Sequence, residues 1–400
     1  MTAVRTVLIS GAGIAGPTLA HWLHQHDIRA TVVEKAPAPR SGGYAIDVRG
    51  VAIDVAERTG VLNQIRAATT EITQGTFVDR HGQPRARFET DLTASSERST
   101  EILRGDLVHL LHAPTTAHTE YLYNDSISRL EQDSDRVRVA FERSEPREFD
   151  LVVGADGLHS HTRALVFGPE APPRRHLGGY VSIFTAPNHL GLDREVVLCN
   201  TPGKLLGMYQ TPRTTGAKVI FGLHSRRESG IERRPAAEQR RSLRNAFSGN
   251  GWESETFLDA MDAASDFYFD SLTQINMENW STGRVTLLGD AGYCPSPLSG
   301  QGTSLAMVGA YVLAQELARH DRPATALEAY QRRMRPYVDA NQAIADSGFT
   351  FLAPRTRLGI ATRNTLMRYT PLVSALSKFD TKLERAAEAI DLDAPTPVRP

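Results

Sequence analysis

The sequence predicts an α/β chain: a parallel-sheet core carrying an α+β insert, in which a mainly antiparallel sheet interrupts the core, followed by C-terminal helices. Three observations predict it. The first 35 residues read strand, glycine turn, helix, strand. From Gly178 to Leu272 the pattern changes to short alternating runs separated by Gly, Pro and Asn. From Arg284 the first pattern returns, an apolar strand ending in a glycine turn that opens a long helix.

Val7, Leu8 and Ile9 form a continuous apolar run suited to a parallel strand buried on both faces. Ile14–His26 follows as a helix and Ala30–Glu34 as the second strand, completing a βαβ unit. Gly50–Arg66 reads as a helix, Ile72–Thr90 as weak polar strands, Glu101–His118 as a helix, and Arg136–Glu142 and Phe149–Gly154 as strands. In the insert, Tyr180–Thr185, Glu195–Asn200, Leu205–Thr211, Lys218–His224 and Asp266–Leu272 read as strands, with a helix over Ala236–Ser248. Arg284–Leu288 is the returning strand, Gly302–Arg319 its helix, and helices fill Ala324–Phe351 and Arg363–Ala389. The Pro-rich tail after Asp391 is expected to fray. This divides the chain into a nucleotide-binding unit (1–71, 101–175 and 281–322), a substrate-side sheet unit (72–100 and 176–280), C-terminal helices (323–390) and a flexible tail (391–400).

Composition narrows the function classes. Apolar residues at 40% and charged residues at 23% are ordinary for a globular chain with a sizeable core. A net charge of −1 gives no basic field for nucleic acid or an anionic membrane surface. Two cysteines, Cys199 and Cys294, exclude a disulfide framework and a multi-cysteine metal site, and no metal is expected. The N-terminus enters a strand at once without a secretion leader, and no run of about 18 apolar residues occurs, so a cytoplasmic location is expected.

Gly11-Ala12-Gly13-Ile14-Ala15-Gly16 matches G-x-G-x-x-G between a buried strand and a helix, and Glu34 ends the next strand. Gly11 permits the tight turn, Gly13 lets a pyrophosphate approach the backbone, and Gly16 lets the helix pack closely on the strand. The helix N-terminus offers free N–H groups and positive dipole to phosphates. Glu34 accepts hydrogen bonds from ribose hydroxyls, and its charge disfavours a 2′-phosphate there. Lys35 stands beside the adenine ribose or in solvent. This is a Rossmann-like FAD/NAD(P)-binding pattern, and the motif alone does not choose between the two cofactors.

Two later segments do. Asp150–Arg163 runs from an apolar strand into Asp156-Gly157, then Ser160 and Arg163. Gly283–Gly292 carries Gly289-Asp290 and continues through Pro295 and Pro297 into Ser299-Gly300-Gln301-Gly302. With these three motifs in this order, the chain resembles the class A FAD-dependent monooxygenases, the para-hydroxybenzoate hydroxylase-like group, over nearly its whole length. Ser41–Gly50, Ile102-Leu103-Arg104-Gly105-Asp106-Leu107 and the compact length are most similar to tetracycline-inactivating monooxygenases and actinobacterial polyketide hydroxylases. The resemblance implies non-covalent FAD, NADPH or NADH as co-substrate, O2, and oxygenation of an aromatic or polyketide-type small molecule through a flavin C4a-hydroperoxide. It implies that Asp290 binds the ribityl hydroxyls, that Asp156 with Gly157 serves the pyrophosphate side and the nicotinamide cofactor, and that Arg104 reaches the phosphate–ribityl region. Gly292-Tyr293 departs from the Ala-His that often follows Gly-Asp-Ala in the family.

No catalytic triad is expected, since the flavin carries the reactive group. Pro297, Gly300, Gln301 and Gly302 are read as the flavin-facing loop, with the helix N-terminus opposite the flavin edge where negative charge develops. Phe184, Met208, Tyr209, Arg213, Phe221, His224 and Phe267 are candidate substrate contacts, although strand alternation aims only half of them at a pocket. A Baeyer–Villiger or epoxidising reaction fits the same scaffold. A halogenase fits less well, because Trp22, Trp252 and Trp280 are isolated and form no W-x-W-x-I-P segment. A flavin-binding module without turnover is the non-enzymatic alternative. The chain is expected to act as a monomer or weak homodimer.

Overall fold

The computed structural model describes residues 4–39, 43–89, 95–169, 174–346, 348–369 and 381–394. Ser41 and Gly42, the middle of the expected helix Arg363–Ala389 (370–380) and the end of the expected frayed tail (395–400) lie outside the described residues.

The core sheet has six strands in the order Ser281–Thr282, Val285–Leu287, Leu151–Gly154, Thr6–Ser10, Arg29–Glu34 and Glu120–Tyr123. All pairs are parallel except the edge pair Ser281–Thr282/Val285–Leu287. Leu8 pairs with Val152 and Ile9 with Val153, and all four are fully buried, as continuous apolar runs require when both faces are covered. Helices Ala15–His24 and Gly302–Arg319 cover one face. A small antiparallel sheet, Ile127–Gln132, Val137–Phe141 and Arg147–Phe149, covers the other through Val137, Val139 and Phe149 against Leu8, Val33 and Val152.

The second large sheet has seven strands in the order Tyr268–Ile275, Arg174–Ala186, Ala217–His224, Lys204–Tyr209, Glu195–Thr201, Gln74–Val78 and Pro84–Glu89. Its pairs are antiparallel except Glu195–Thr201 with Gln74–Val78. Helices Ala236–Phe247 and Ser254–Ala263 pack on one face, over Tyr180, Phe184, Leu206, Met208, Val219 and Phe221. The opposite face looks toward the core sheet's glycine turns.

Several boundaries differ from the sequence reading. Glu101–His118 is not one helix. Ser99–Leu103 is a strand paired with Ala45–Arg49, and the helix runs from Arg104 to His112. Alternating Thr100 and Ile102 satisfy the strand, and pairing with a distant segment overrides the helical pattern. Gly50–Arg66 breaks at Gly60, φ +81°, into Val51–Arg58 and Leu62–Ala67. Beyond the core, Pro323–Gln342, Gly348–Leu352, Arg357–Tyr369 and residues 381–387 are helical. Among the described residues, no helix is long and apolar enough to cross a membrane.

Candidate cofactor site and substrate cleft

Three turns meet at the C-terminal ends of the core strands. Gly11 has φ +111°, and a Cβ there would lie 2.5 Å from the carbonyl oxygen of Ala155. A Cβ on Gly16 would lie 2.0 Å from the carbonyl oxygen of Gly11. Neither position has room for a side chain, so the first turn is shaped by its glycines. Ala155 N donates to Ser10 O at 2.8 Å and Leu288 N to Gly154 O at 2.9 Å, so the Asp156 and Asp290 turns are fastened beside it. A Cβ on Gly289 would stand 3.6 Å from the Ala15 Cβ, beside Ile14 at the start of the first helix.

The charged residues around this junction have distinct tasks. Glu34 Oε2 accepts from Ala12 N at 2.8 Å and Oε1 from Ala36 N at 2.8 Å, which fixes the carboxylate at the end of its strand. Each oxygen keeps a further lone pair. Lys35 is exposed. Arg104 opens its helix directly after a strand, with its N–H on Tyr44 O at 3.0 Å. Its Nη2 lies 3.6 Å from where a Gly13 Cβ would be, and among the described residues it pairs with no carboxylate. Asp156 is committed locally. It accepts from Ser160 Oγ, and its Oδ2 accepts from Thr162 N at 2.9 Å and Thr162 Oγ1 at 3.0 Å. It therefore supports the first turn of the helix His161–Phe167, whose N-cap Ser160 accepts from Arg163 N at 2.9 Å through Oγ, and holds the Gly157 turn, φ +82°. Buried Arg163 ties that turn to the next through Leu158 O and Ala291 O, both at 2.8 Å.

Asp290 begins the short helix Asp290–Tyr293, and its Oδ1 is 3.6 Å from a Cβ position on Gly302. Burial pushes its carboxyl pKa up. The Cys294 thiol and Arg104 pull it back, and Asp270 pushes with burial. Beside it, Pro297–Ser299 is a single 3₁₀ turn, Gly300 has φ +64°, and the helix Gly302–Arg319 starts after Gln301 with no side-chain cap. Gln301 is fully buried, and neither its Oε1 nor its Nε2 has a partner among the described residues. Ser296 sits at φ +74°, a conformation that costs a non-glycine residue about 1–3 kcal/mol and concentrates at functional loops.

The sequence reading missed an acidic pair on this loop's far side. Asp47 Oδ2 lies 3.5 Å from a Gly300 Cβ position, and Asp47 Oδ1 pairs with Arg49 at 3.0 Å. Across the strands Asp47 stands opposite Glu101. Burial, then the Asp47 charge, raise the Glu101 pKa to about 7, against Thr70 and Arg49, which lower it. The folded state thus holds a proton on Glu101 that the unfolded chain has released between about pH 4.5 and about 7. The stability this proton contributes is complete below pH 4.5 and is lost as pH rises through 7. Glu101→Gln is expected to raise the melting temperature at pH 8 and leave it nearly unchanged at pH 4. Equal shifts at both pH values in thermal denaturation would contradict the assignment.

The expected substrate contacts are corrected by strand parity. Phe184, Met208 and Phe221 are fully or almost fully buried on the helix-covered face, away from the glycine turns. Phe267 packs at the edge of the same core, with the Arg240 guanidinium 4.5 Å from its ring centroid. Tyr209 does point the other way, but its hydroxyl accepts from Ala45 N at 3.1 Å, and Arg213 pairs with Asp106 at 2.9 Å. Both join the sheet to the cofactor side. His224 faces Gly178 O at 3.1 Å and packs on Phe349 at 4.4 Å between ring centroids; burial lowers its pKa. One position along each strand, Ile183 and Ile220 form a cross-strand pair on the side facing the glycine turns, partly exposed and part of no core cluster among the described residues. With Val181 and Tyr268 they make a partly open apolar wall. Alternation shows that such a wall exists, but it does not choose which of two apolar faces it is.

Comparison with known proteins supplies the context for this geometry. The family described as "FAD binding domain" matches residues 5–345. Rv1260 of Mycobacterium tuberculosis, an uncharacterized protein, is 44% identical over 356 residues, covering 88% of this chain and 95% of that protein. A flavin-dependent monooxygenase of Legionella longbeachae is 40% identical over 338 residues, covering 84% of this chain and 86% of that one. The crystal structure of tetracycline destructase Tet(55) superposes with a TM-score of 0.85 at 38% identity, covering 98% of this chain and 99% of that one.

Proposed function

Because this chain belongs to the FAD-binding family of flavin-dependent monooxygenases, we propose that Gly11–Gly16, Glu34, Arg104 and Asp290 hold its FAD and that the wall of Val181, Ile183 and Ile220 receives a polycyclic, enol- or phenol-bearing substrate. The enzyme is FAD-dependent and oxygenates a small molecule with NAD(P)H and O2. The observation that carries the site assignment is Arg104: a guanidinium that pairs with no carboxylate among the described residues stands over Gly13, in a turn whose Gly11 and Gly16 have no room for a side chain. Such a cation beside a helix N-terminus calls for a phosphate.

Bound FAD would supply hydride acceptance from a reduced nicotinamide and activation of O2. The chain's own residues do the rest. The first turn and Arg104 neutralise the pyrophosphate. Glu34 accepts from the adenosine ribose, and Asp290 accepts from ribityl hydroxyls. Asp156 acts through the turn it holds. The N-terminus of Gly302–Arg319, which has no side-chain cap, would offer N–H groups to negative charge on the bound cofactor, and the Gln301 amide lies beside it. The isoleucine wall keeps water from the reacting carbon. On this reading residues 1–71, 99–175 and 281–322 form the cofactor unit, which takes in the whole strand Ser99–Leu103, and 72–98 and 176–280 the substrate unit.

The substrate class is supported by the likeness to Tet(55), a tetracycline destructase. Purified protein is expected to be yellow. With tetracycline and NADPH it is expected to give a product one oxygen heavier, labelled from labelled O2, and the product's structure separates ring hydroxylation from Baeyer–Villiger insertion. Colourless protein that FAD does not reconstitute would refute the cofactor site. Yellow protein that leaves tetracycline unchanged would refute only the substrate.

A further inference from the structure

The loop read as facing the flavin contains a strained residue, and two glutamine side chains hold the carbonyls that lead into it. Gln342 ends the helix Pro323–Gln342. Its Nε2 donates to Ile275 O at 2.9 Å and reaches Tyr293 O and Cys294 O, each at 3.3 Å. Gln274, at 1% exposure on the strand Tyr268–Ile275, donates from its own Nε2 to Pro295 O at 3.3 Å and to Gln342 O at 2.7 Å. Its Oε1 accepts from Arg175 Nη1 at 3.0 Å. A guanidinium only donates, so this contact fixes which end of the Gln274 amide faces the loop. The two amides therefore take up the carbonyls of Tyr293, Cys294 and Pro295, and the last free carbonyl of the long helix.

Ser296 follows directly, at φ +74°. Its hydroxyl is buried and without a partner among the described residues, so its own side chain does nothing to hold that conformation. Such strain persists only where the surroundings fix it. After Ser296 the loop braces itself: Ser296 O accepts from Ser299 N at 3.1 Å and Ser299 Oγ at 2.9 Å, and Gln301 N donates to Ser299 Oγ at 3.1 Å. Before Ser296 the glutamines tie it to a sheet strand and to the C-terminal helix. A contact that merely joined helix to loop would work as well with an unstrained Ser296. We propose that Gln274 and Gln342 are positioning residues: together they impose the strained turn at Ser296 and so set where Gln301 and the N-terminus of Gly302–Arg319 stand against the bound flavin. Negative charge is greater on reduced than on oxidised flavin, so donors held in place favour the reduced form and raise its potential.

The inference rests on the reading of this loop as part of the FAD site, and the experiment tells the two apart. Gln274→Met and Gln342→Met keep most of each side chain's bulk and remove its donors. FAD-loaded wild type and variants are reduced with dithionite beside a reference dye, which reads the flavin's potential. Each variant is expected to favour reduced over oxidised flavin about tenfold less than wild type does, a fall of about 30 mV for a two-electron couple. Adding Ser296→Gly should recover most of that fall, because glycine takes positive φ without strain and the turn then needs no clamp. A purely structural pair would lower the melting temperature and leave the potential unmoved. Wild-type potentials in the methionine variants, or no recovery with Ser296→Gly, overturn the proposal. Should either variant not fold, Gln274→Asn or Gln342→Asn, one methylene too short to reach, replaces it with the same outcomes. If the protein neither carries nor takes up FAD, the reading of the site falls. The clamp is then judged on the ligand-free protein, by hydrogen exchange across residues 298–302. Exchange about tenfold faster in the methionine variants, and slowed again by Ser296→Gly, supports it; exchange at the wild-type rate overturns it.

Discussion

Phe221→Ala is expected to lower the unfolding free energy by about 3–5 kcal/mol, with FAD affinity unchanged. The ring is fully buried, 4.7 Å edge-to-face from Phe247 and 5.9 Å from Phe184. It fills the space between the seven-stranded sheet and the helix Ala236–Phe247. Removing it leaves a cavity that two aromatic neighbours and a sheet backbone cannot close, so the loss includes both transfer and cavity terms. Denaturant melts of the FAD-loaded protein measure the cost, and flavin titration measures the affinity. The neighbouring substitution Ile220→Ala makes the contrast. Its partly exposed side chain belongs to no core cluster among the described residues, so it should cost less, about 1–2 kcal/mol in stability, and raise the substrate KM instead. If Phe221→Ala raised KM and left stability intact, the two faces would be assigned the wrong way round.

Asp290→Ala is expected to weaken FAD binding by about 1.5–3 kcal/mol, roughly ten- to a hundredfold in Kd, because ribityl hydroxyls lose a charged acceptor. The apoprotein should respond in the opposite sense. Burial raises the Asp290 pKa, which means the empty fold bears a penalty for its charge at neutral pH. Removing the carboxylate should leave the apo melting temperature unchanged or higher while flavin retention falls. A residue that merely stabilised the short helix Asp290–Tyr293 would lose both together. Isothermal titration with FAD and a melt of the stripped protein, run on the same preparation, distinguish the outcomes.

The parts of this fold that were legible in the sequence are those in which one local pattern has one physical solution. Val7–Ile9 has no polar side to expose, so it must lie between two covered faces. Gly11 sits where the backbone of the Asp156 turn occupies the Cβ position, and Gly16 where the carbonyl of Gly11 does. The sheet wall was harder to read. Residues 181–184 and 219–221 are largely apolar on both faces, because helices cover one side and the cleft covers the other. Alternation then fixes the period but not the phase, and Phe184, Met208 and Phe221 were placed on the wrong side. The strand Ile127–Gln132 was missed because its outer positions are Ser, Arg and Glu. The strand Glu120–Tyr123 was missed because it carries only a short run at the sheet edge. His159 and Asp270 are 111 residues apart. Neither residue announces the other, and their contact comes only from the sheet folding back over the Asp156 loop.

Ile183 and Ile220 belong to neither apolar interior that flanks them. The side chains proposed to meet the guest molecule are thus not the ones that keep either half of the protein folded. A lineage can exchange those few residues for smaller, larger or more polar ones at little structural penalty, and so move from one compound to another while the oxidising apparatus stays as it was.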